Sequence, residues 1–255
     1  MSAGLRAEGL TVEFGGLVAV HDLTLDAPLG RVTGLIGPNG AGKSTTFNAC
    51  SGLVRPTHGT VELLGHDVTR LAPAARAQRG RGRTFQRMEL FDSLSVEQNV
   101  ALGRTAHVAG SRVIGQLWAS RHERTEIAEA TEWALATCGI DGLRSRLAGG
   151  LTTGQRRLVE LARVLSGPFR VLLLDEPSSG LDDHETERFA EILERVVTER
   201  GVAILLVEHD MALVHRVCDH VFVLDFGELI FEGTMAEVAS SDVVRAAYLG
   251  TVEVA

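Results

Sequence analysis

The sequence predicts an α/β fold built on buried parallel strands, and three observations carry that prediction. Val32–Ile36, Val171–Leu174 and Ala203–Val207 are continuous apolar runs of strand length, the pattern of strands covered on both faces. Between them, Leu158, Leu161, Ala162 and Leu165, and then Phe189, Ile192, Leu193, Val196 and Val197, recur at helical spacing. The first run stops at Gly37-Pro38-Asn39-Gly40, so strand, Gly-rich turn and helix follow in that order.

The remaining elements fit around this frame. Leu5–Glu13, Ala19–Asp26 and Val61–Leu64 read as further strands, and Met235–Leu249 as short helices. The stretch from Asp92 to Gly167 is helical in pattern, Glu123 to Thr137 most clearly, without a convincing strand. At 255 residues one large domain or two small ones are possible. No repeat, low-complexity tract or Pro-rich linker divides the chain, so residues 1–255 read as one domain, with a core of 1–91 and 168–255 and a helical subdomain of 92–167.

Charge and composition exclude several function classes. Net charge −8 argues against a nucleic-acid binder with a broad cationic face. Arg79, Arg81 and Arg83 alternate with glycines, which we read as a β edge rather than an RNA contact. Cys50, Cys138 and Cys218 lack the spacing of a disulfide framework or a zinc site, in keeping with a reducing cytosol. No apolar run approaches the ~20 residues that cross a bilayer, and Met1 to Glu8 lacks a signal-peptide core. The expectation is a chain that neither spans the membrane nor enters secretion.

Gly37-Pro38-Asn39-Gly40-Ala41-Gly42-Lys43-Ser44 matches G-x-x-x-x-G-K-S/T in the required place, after a strand and before a helix. Such a loop turns successive backbone N–H groups, and the positive end of the next helix, towards a phosphate. Lys43 would bridge the β and γ phosphates, and Ser44 would offer its hydroxyl to Mg²⁺. Among 25 basic residues Lys43 is the only lysine. GC-rich coding, read from the abundant Ala, Gly and Arg, accounts for the missing lysines but not for the one that stands where a phosphate clamp needs it.

Val171-Leu172-Leu173-Leu174-Asp175-Glu176 ends a buried strand in two carboxylates, at the edge where α/β sheets place ligand chemistry. Asp175 can hold Mg²⁺ through water, and Glu176 can orient or deprotonate a water attacking the γ-phosphoryl. Taken alone, the pair could equally be a strand cap.

Leu151-Thr152-Thr153-Gly154-Gln155 resembles the LSGGQ signature of the ABC (ATP-binding cassette) ATPases. Further residues follow that family's order: Phe14 where an aromatic stacks on adenine, Gln86 as the Q-loop, Ser179-Gly180-Leu181-Asp182 as the D-loop and His209 as the switch histidine. Each has a bland alternative: core packing for Phe14, a helix N-cap for Thr152 or Thr153, a turn for Ser179–Asp182, a core or surface histidine for His209. The resemblance implies a P-loop NTPase (RecA-like) α/β core with an antiparallel β subdomain and an inserted α-helical subdomain, binding ATP and Mg²⁺. It assigns catalysis to Glu176, His209, Gln86 and Lys43, and the metal to Ser44, Gln86 and Asp175. Nucleotide binding falls to Phe14, Gly37 through Ser44, Thr45, Thr152, Gly154, Gln155 and Asp182. Thr153 departs from the family's Gly-Gly pair, a variation that resembles a subfamily mark.

The family works as a head-to-tail dimer, so the resemblance also implies a second ATPase copy or paralogue, whose P-loop would hold the ATP that this chain's Gly154 helix caps. Arg83-Thr84-Phe85-Gln86, Leu90-Phe91, Leu94–Val100, Glu232-Gly233-Thr234 and Ala247-Tyr248-Leu249-Gly250 look like the branched-chain (hydrophobic) amino-acid uptake ATPases. So does the lengthened stretch from Gly103 to Arg121. This branch implies transmembrane permease subunits contacted by Gln86 to Phe91, with Met88, Leu90 and Phe91 as candidate contacts; the alternative for Leu90 and Phe91 is that they seal the junction between the subdomains. It implies a solute-binding protein at one remove, and a location on the inner face of the cell membrane. A lipopolysaccharide-export ATPase, which shares the tail, and a soluble ABC ATPase are the alternatives.

Overall fold

The computed structural model describes residues 4–84, 89–111 and 121–249. At the N-terminus, β1 (Leu5–Phe14) and β2 (Leu17–Ala27) form a long antiparallel hairpin. In β1 the buried Leu5, Ala7, Leu10 and Val12 are interrupted by a register shift between Ala7 and Leu10, where Gly9 takes φ 60°. That bulge turns the strand without exposing its apolar face. β4 (His58–Leu63) and β5 (His66–Asp67) complete a four-stranded antiparallel sheet of order β2-β1-β4-β5.

Among the described residues the second sheet has six strands. β3 (Val32–Ile36), β7 (Val171–Asp175) and β8 (Ala203–Val207) are buried along their whole length, as their unbroken apolar sequences require. With β6 (Arg81–Arg83), β9 (His220–Asp225) and β10 (Glu228–Gly233) the order is β10-β9-β3-β8-β7-β6, parallel except for the antiparallel β10. The edge reading of Arg81 and Arg83 agrees with the terminal place of β6, whereas Arg79 does not belong to the strand: it is the C-cap of the helix Pro73–Gln78, its N–H spent on the last helical carbonyls. The chain pattern did not single out β9 and β10, although Val221 to Leu224 is a four-residue apolar run followed by an Asp-x-Gly turn, a signal of the same kind as in β3.

Alternate residues of the buried strands feed two cores. Leu172, Leu174, Ile204 and Leu206 pack on one face with Leu161, Phe189 and Leu193. Leu173, Leu205 and Val207 pack on the other with Phe47 and with Leu5, Leu10 and Leu23 of the antiparallel sheet. The first group of partners belongs to α5 (Thr153–Leu165) and α6 (Asp183–Arg200), and Phe47 to α1 (Lys43–Ser51). Two-sided burial of this kind contributes ~1.5–3 kcal/mol per large apolar side chain, and it fixes the strand ends that carry the site.

Between α2 (Pro73–Gln78) with β6 and the start of β7 lie α3 (Val96–Ser111), α4 (Arg121–Cys138) and α5, packed on one another. The buried Asn99 fastens the entry to α3: its Oδ1 accepts from Phe91 N at 2.9 Å and its Nδ2 donates to the carbonyls of Phe91, Leu94 and Ser95. Phe91 is thereby held with its ring 56% exposed. After β8 come α7 (Met211–Val217), and after β10 α8 (Met235–Ser240) and α9 (Asp242–Leu249), which resolve the C-terminal helical stretch into two pieces.

Candidate functional site

The C-terminal ends of β3, β7 and β8 converge on one edge of the sheet, and each ends in a loop that carries candidate chemistry. After β3 the chain wraps through Gly37 to Gly42 and enters α1 at Lys43. Gly42 is the N-cap at φ 95°, and among the described residues no side chain caps the helix, so its first amides are left to the pocket beside them. A Cβ at Gly42 would lie 2.7 Å from Ala19 O, so only glycine allows this approach of loop and β2.

Lys43 is 8% exposed, and its Nζ donates to Gly37 O at 2.7 Å and Pro38 O at 2.8 Å. Among the described residues these use two of the three donors of an ammonium. Burial pulls its pKa below the ordinary lysine range, against the opposing pull of Glu176 and Asp175. The cavity beside it, about 450 Å³, is lined by Asn39 through Thr45, Glu176, Leu17 to Ala19 and Phe226.

β7 delivers Asp175 and Glu176. Asp175 is 7% exposed and lies 3.8 Å from Arg83. Burial raises its pKa above the usual carboxylate value, Arg83 opposing and Glu176 and Glu208 adding to the rise. Glu176 takes φ 46°, strained for a side chain of its size, while its N–H donates to Val207 O at 2.8 Å. A strained residue thus lines the same cavity as Lys43.

β8 delivers Glu208 and His209. Glu208 is fully buried and accepts from Ser178 N and Oγ and from the N–H groups of His209 and Asp210. The His209 ring is largely exposed, with Nδ1 3.8 Å from Glu208 Oε2. Sequence reasoning missed Glu208, although a carboxylate at the end of a buried strand is the same signal that exposed Asp175.

The signature stretch lies elsewhere: none of Leu151 to Gln155 lines the P-loop cavity. Thr152 is the N-cap of α5 and forms a capping box with Gln155. Asp182 does the same for α6 with Glu185. The two boxes touch, since a Cβ on Gly154 would fall 2.0 Å from Glu185 Oε1. Thr153 at the departing position packs its methyl towards Gly180, where a Cβ would meet it at 3.1 Å. Arg157 Nε also donates to Ser179 O at 3.4 Å, so α5 is tied to the loop between β7 and α6.

Phe14 ends β1, half exposed and in register with Leu17, while the aromatic that lines the cavity is Phe226. Gln86 and Met88 lie outside the described residues.

Comparison with known proteins now decides the family. The family described as ABC transporter matches residues 20–179. This chain belongs to it. A second match, described as branched-chain amino acid ATP-binding cassette transporter, covers residues 228–254. The cassette is 36% identical to the high-affinity branched-chain amino acid transport ATP-binding protein BraF of Pseudomonas aeruginosa, over 96% of this chain and 97% of that one. It is 33% identical to LivG of Escherichia coli K12, described in the same words, over the same shares. Among solved structures, the ADP conformation of MJ1267, an ATP-binding cassette of an ABC transporter, superposes with TM-score 0.85 at 29% identity, covering 98% of this chain and 99% of that one. This ABC cassette is thus a nucleotide-binding ATP hydrolase with the RecA-like core, antiparallel β sheet and helical insertion of its family. Among the described residues no helix is long and apolar enough to cross a membrane.

Proposed function

We propose that this cassette is the ATP-hydrolysing subunit of a transporter that imports branched-chain or other hydrophobic amino acids, working at the cytoplasmic face of the cell membrane. The observation that carries the solute class is the near-full-length similarity to BraF and LivG, joined by the separate match over residues 228–254. The same relatives disfavour the exporter and soluble alternatives.

In this reading the P-loop amides and Lys43 hold the β and γ phosphates of ATP. Glu176 orients a water and takes its proton as the water oxygen bonds to the γ phosphorus and the bond to the bridging oxygen breaks. His209 contacts the γ-phosphate from the loop after β8, and Gln86 completes the site. Ser44 and Asp175 suit Mg²⁺, because a hydroxyl and a buried carboxylate whose nearest cationic partner among the described residues is 3.8 Å away form a hard oxygen donor set. Bound there, the ion would neutralise phosphate charge.

The separation of Thr152 to Gln155 from the cavity supports a head-to-tail dimer, in which Thr152, Gly154, Gln155 and Asp182 serve the ATP of a second copy or a paralogue. A groove of about 560 Å³ between β6 and the helices is lined by Leu53, Leu90, Phe91, Leu102 and Phe169, with Arg81, Arg83 and Arg163 at its sides. An exposed Phe91 in an apolar groove supports docking of a permease helix there.

Reconstitution with two permeases and a solute-binding protein tests the reading: ATP should drive inward movement of labelled leucine. Glu176→Gln should keep ATP binding, trap an ATP-bound dimer and abolish uptake. Wild-type hydrolysis in that variant removes the role given to Glu176, and uptake of an unrelated solute alone removes the solute class.

A further inference from the structure

Phe226 is the most exposed large apolar side chain among the described residues, at 87%. It occupies the first central position of the two-residue turn joining β9 to β10, whose flanking residues Asp225 and Glu228 are register partners. Both central residues have positive φ, 45° at Phe226 and 84° at Gly227. That is the backbone of a type I′ turn, where Asn or Asp ordinarily precedes Gly. A bulky aromatic in this conformation is strained, and its exposure returns no burial to the fold.

The turn is nevertheless held in one place. Gly227 N donates to Ala41 O of the P-loop at 3.1 Å, and Gly227 O accepts from His21 N of β2 at 2.8 Å. The ring so positioned lines the cavity that also contains Lys43, Ser44 and Thr45, next to Leu17 and Val18. Leu17 and Val18 are themselves 69% and 42% exposed. The cavity lining therefore combines a cationic group and N–H donors with exposed apolar side chains, the two chemistries that a nucleotide presents in its phosphates and in its ribose and base.

We propose that Phe226 is a nucleotide-positioning residue, an apolar wall for the ribose and base of ATP facing the β1–β2 hairpin that carries Phe14. The proposal rests on the nucleotide reading of the P-loop. A second copy of this chain is the competing occupant, but a side chain that lines the same cavity as Lys43 and Ser44 fits the smaller ligand.

Binding of a non-hydrolysable ATP analogue and of inorganic tripolyphosphate to the full chain separates the two halves of the ligand. Phe226→Asn suits a type I′ turn and should raise Tm. It should weaken the analogue about tenfold, in line with loss of one base–aromatic contact, while tripolyphosphate affinity stays within about twofold. Phe226→Tyr should restore analogue binding. Unchanged analogue affinity in Phe226→Asn overturns the proposal, as does an equal loss for tripolyphosphate, or a defect confined to ATP-dependent dimerisation. If the wild-type chain binds neither probe in a Lys43-dependent way, the nucleotide reading itself fails, which is a different result.

Discussion

Glu208 Oε1 accepts two hydrogen bonds from Ser178, from its backbone N–H at 2.9 Å and from its hydroxyl at 2.7 Å. The other oxygen accepts from His209 N at 3.0 Å and Asp210 N at 3.2 Å. One fully buried carboxylate thus joins the loop of Glu176 to the loop of His209. A buried charge is tolerable only when so fully bonded, and the bonds are short-range and directional enough to set the spacing of the two loops.

Glu208→Gln should therefore separate binding from chemistry. The amide keeps the shape but turns a donor towards N–H donors on one side. We expect kcat to fall roughly 10²-fold, the scale of a misplacement near 1 Å, with KM for ATP nearly unchanged because the P-loop does not depend on Glu208. Stability should fall by about 2 kcal/mol. Steady-state hydrolysis and a thermal melt check both, and wild-type kcat in a folded Glu208→Gln chain defeats the positioning role.

Much of this was legible in the sequence because the signals were local. β3, β7 and β8 announced themselves by unbroken apolar runs, and the P-loop by its glycines at the end of one of them. The N-cap reading of Thr152, kept beside its signature role, matches the cap it forms on α5. What escaped was relational. Glu208 acquires its part only when β7 and β8 lie side by side and bring Ser178 within 3 Å. Phe226 is an ordinary residue of a short turn until Gly227 bonds to the P-loop, whereas family order points to Phe14. Charge and spacing report which chemistry is present, while contacts between distant loops need the sheet order.

Lys43 offers a test that needs no substitution. It is the only lysine, so an amine-directed reagent can mark it and the N-terminal amine alone. Its depressed pKa enlarges the reactive neutral fraction, though its burial slows access. ATP with Mg²⁺ should slow modification of Lys43 at least tenfold, the scale of a charge-assisted phosphate contact of ~1.5–3 kcal/mol, and leave the N-terminus unaffected. Peptide mass mapping reads both sites in one sample, and equal rates with and without nucleotide contradict the clamp.

Asp175 places function against stability. Its folded pKa is raised by burial, so between its unfolded value and that raised value the native chain binds more protons than the unfolded one. Stability from this group is full below the unfolded pKa and is lost as pH rises through the folded pKa. Asp175→Asn removes the buried charge and the titration together. The variant should melt higher than wild type at neutral pH, show a flatter fall in Tm from pH 4 upwards, and lose hydrolysis. Arg83 keeps its bonds to Ser51 and Asn48, which limits the cost of losing its ion-pair partner. A lower neutral-pH Tm in the ligand-free variant would mean that the Arg83 pair outweighs the burial of charge.

Gly154 is held by a neighbour rather than by its own backbone. A Cβ there would lie 2.0 Å from Glu185 Oε1 and 2.4 Å from its Cδ, so alanine must push Glu185 aside. That side chain accepts from Asp182 N at 3.2 Å in the box that starts α6. Gly154→Ala gains ~0.5 kcal/mol of helix propensity and loses a cap interaction of about 1 kcal/mol, a net destabilisation. With Glu185→Ala already present the collision and the carboxylate arm of the capping box are both gone, while Asp182 still accepts from the backbone N–H at 185, and Gly154→Ala should become stabilising by the propensity alone. Denaturant melts of the four chains close this cycle. A sign that does not invert between the two backgrounds shows that Glu185 is not what reserves Gly154, and the contact between the signature helix and the start of α6 would then have to rest on Thr153 and Gly180.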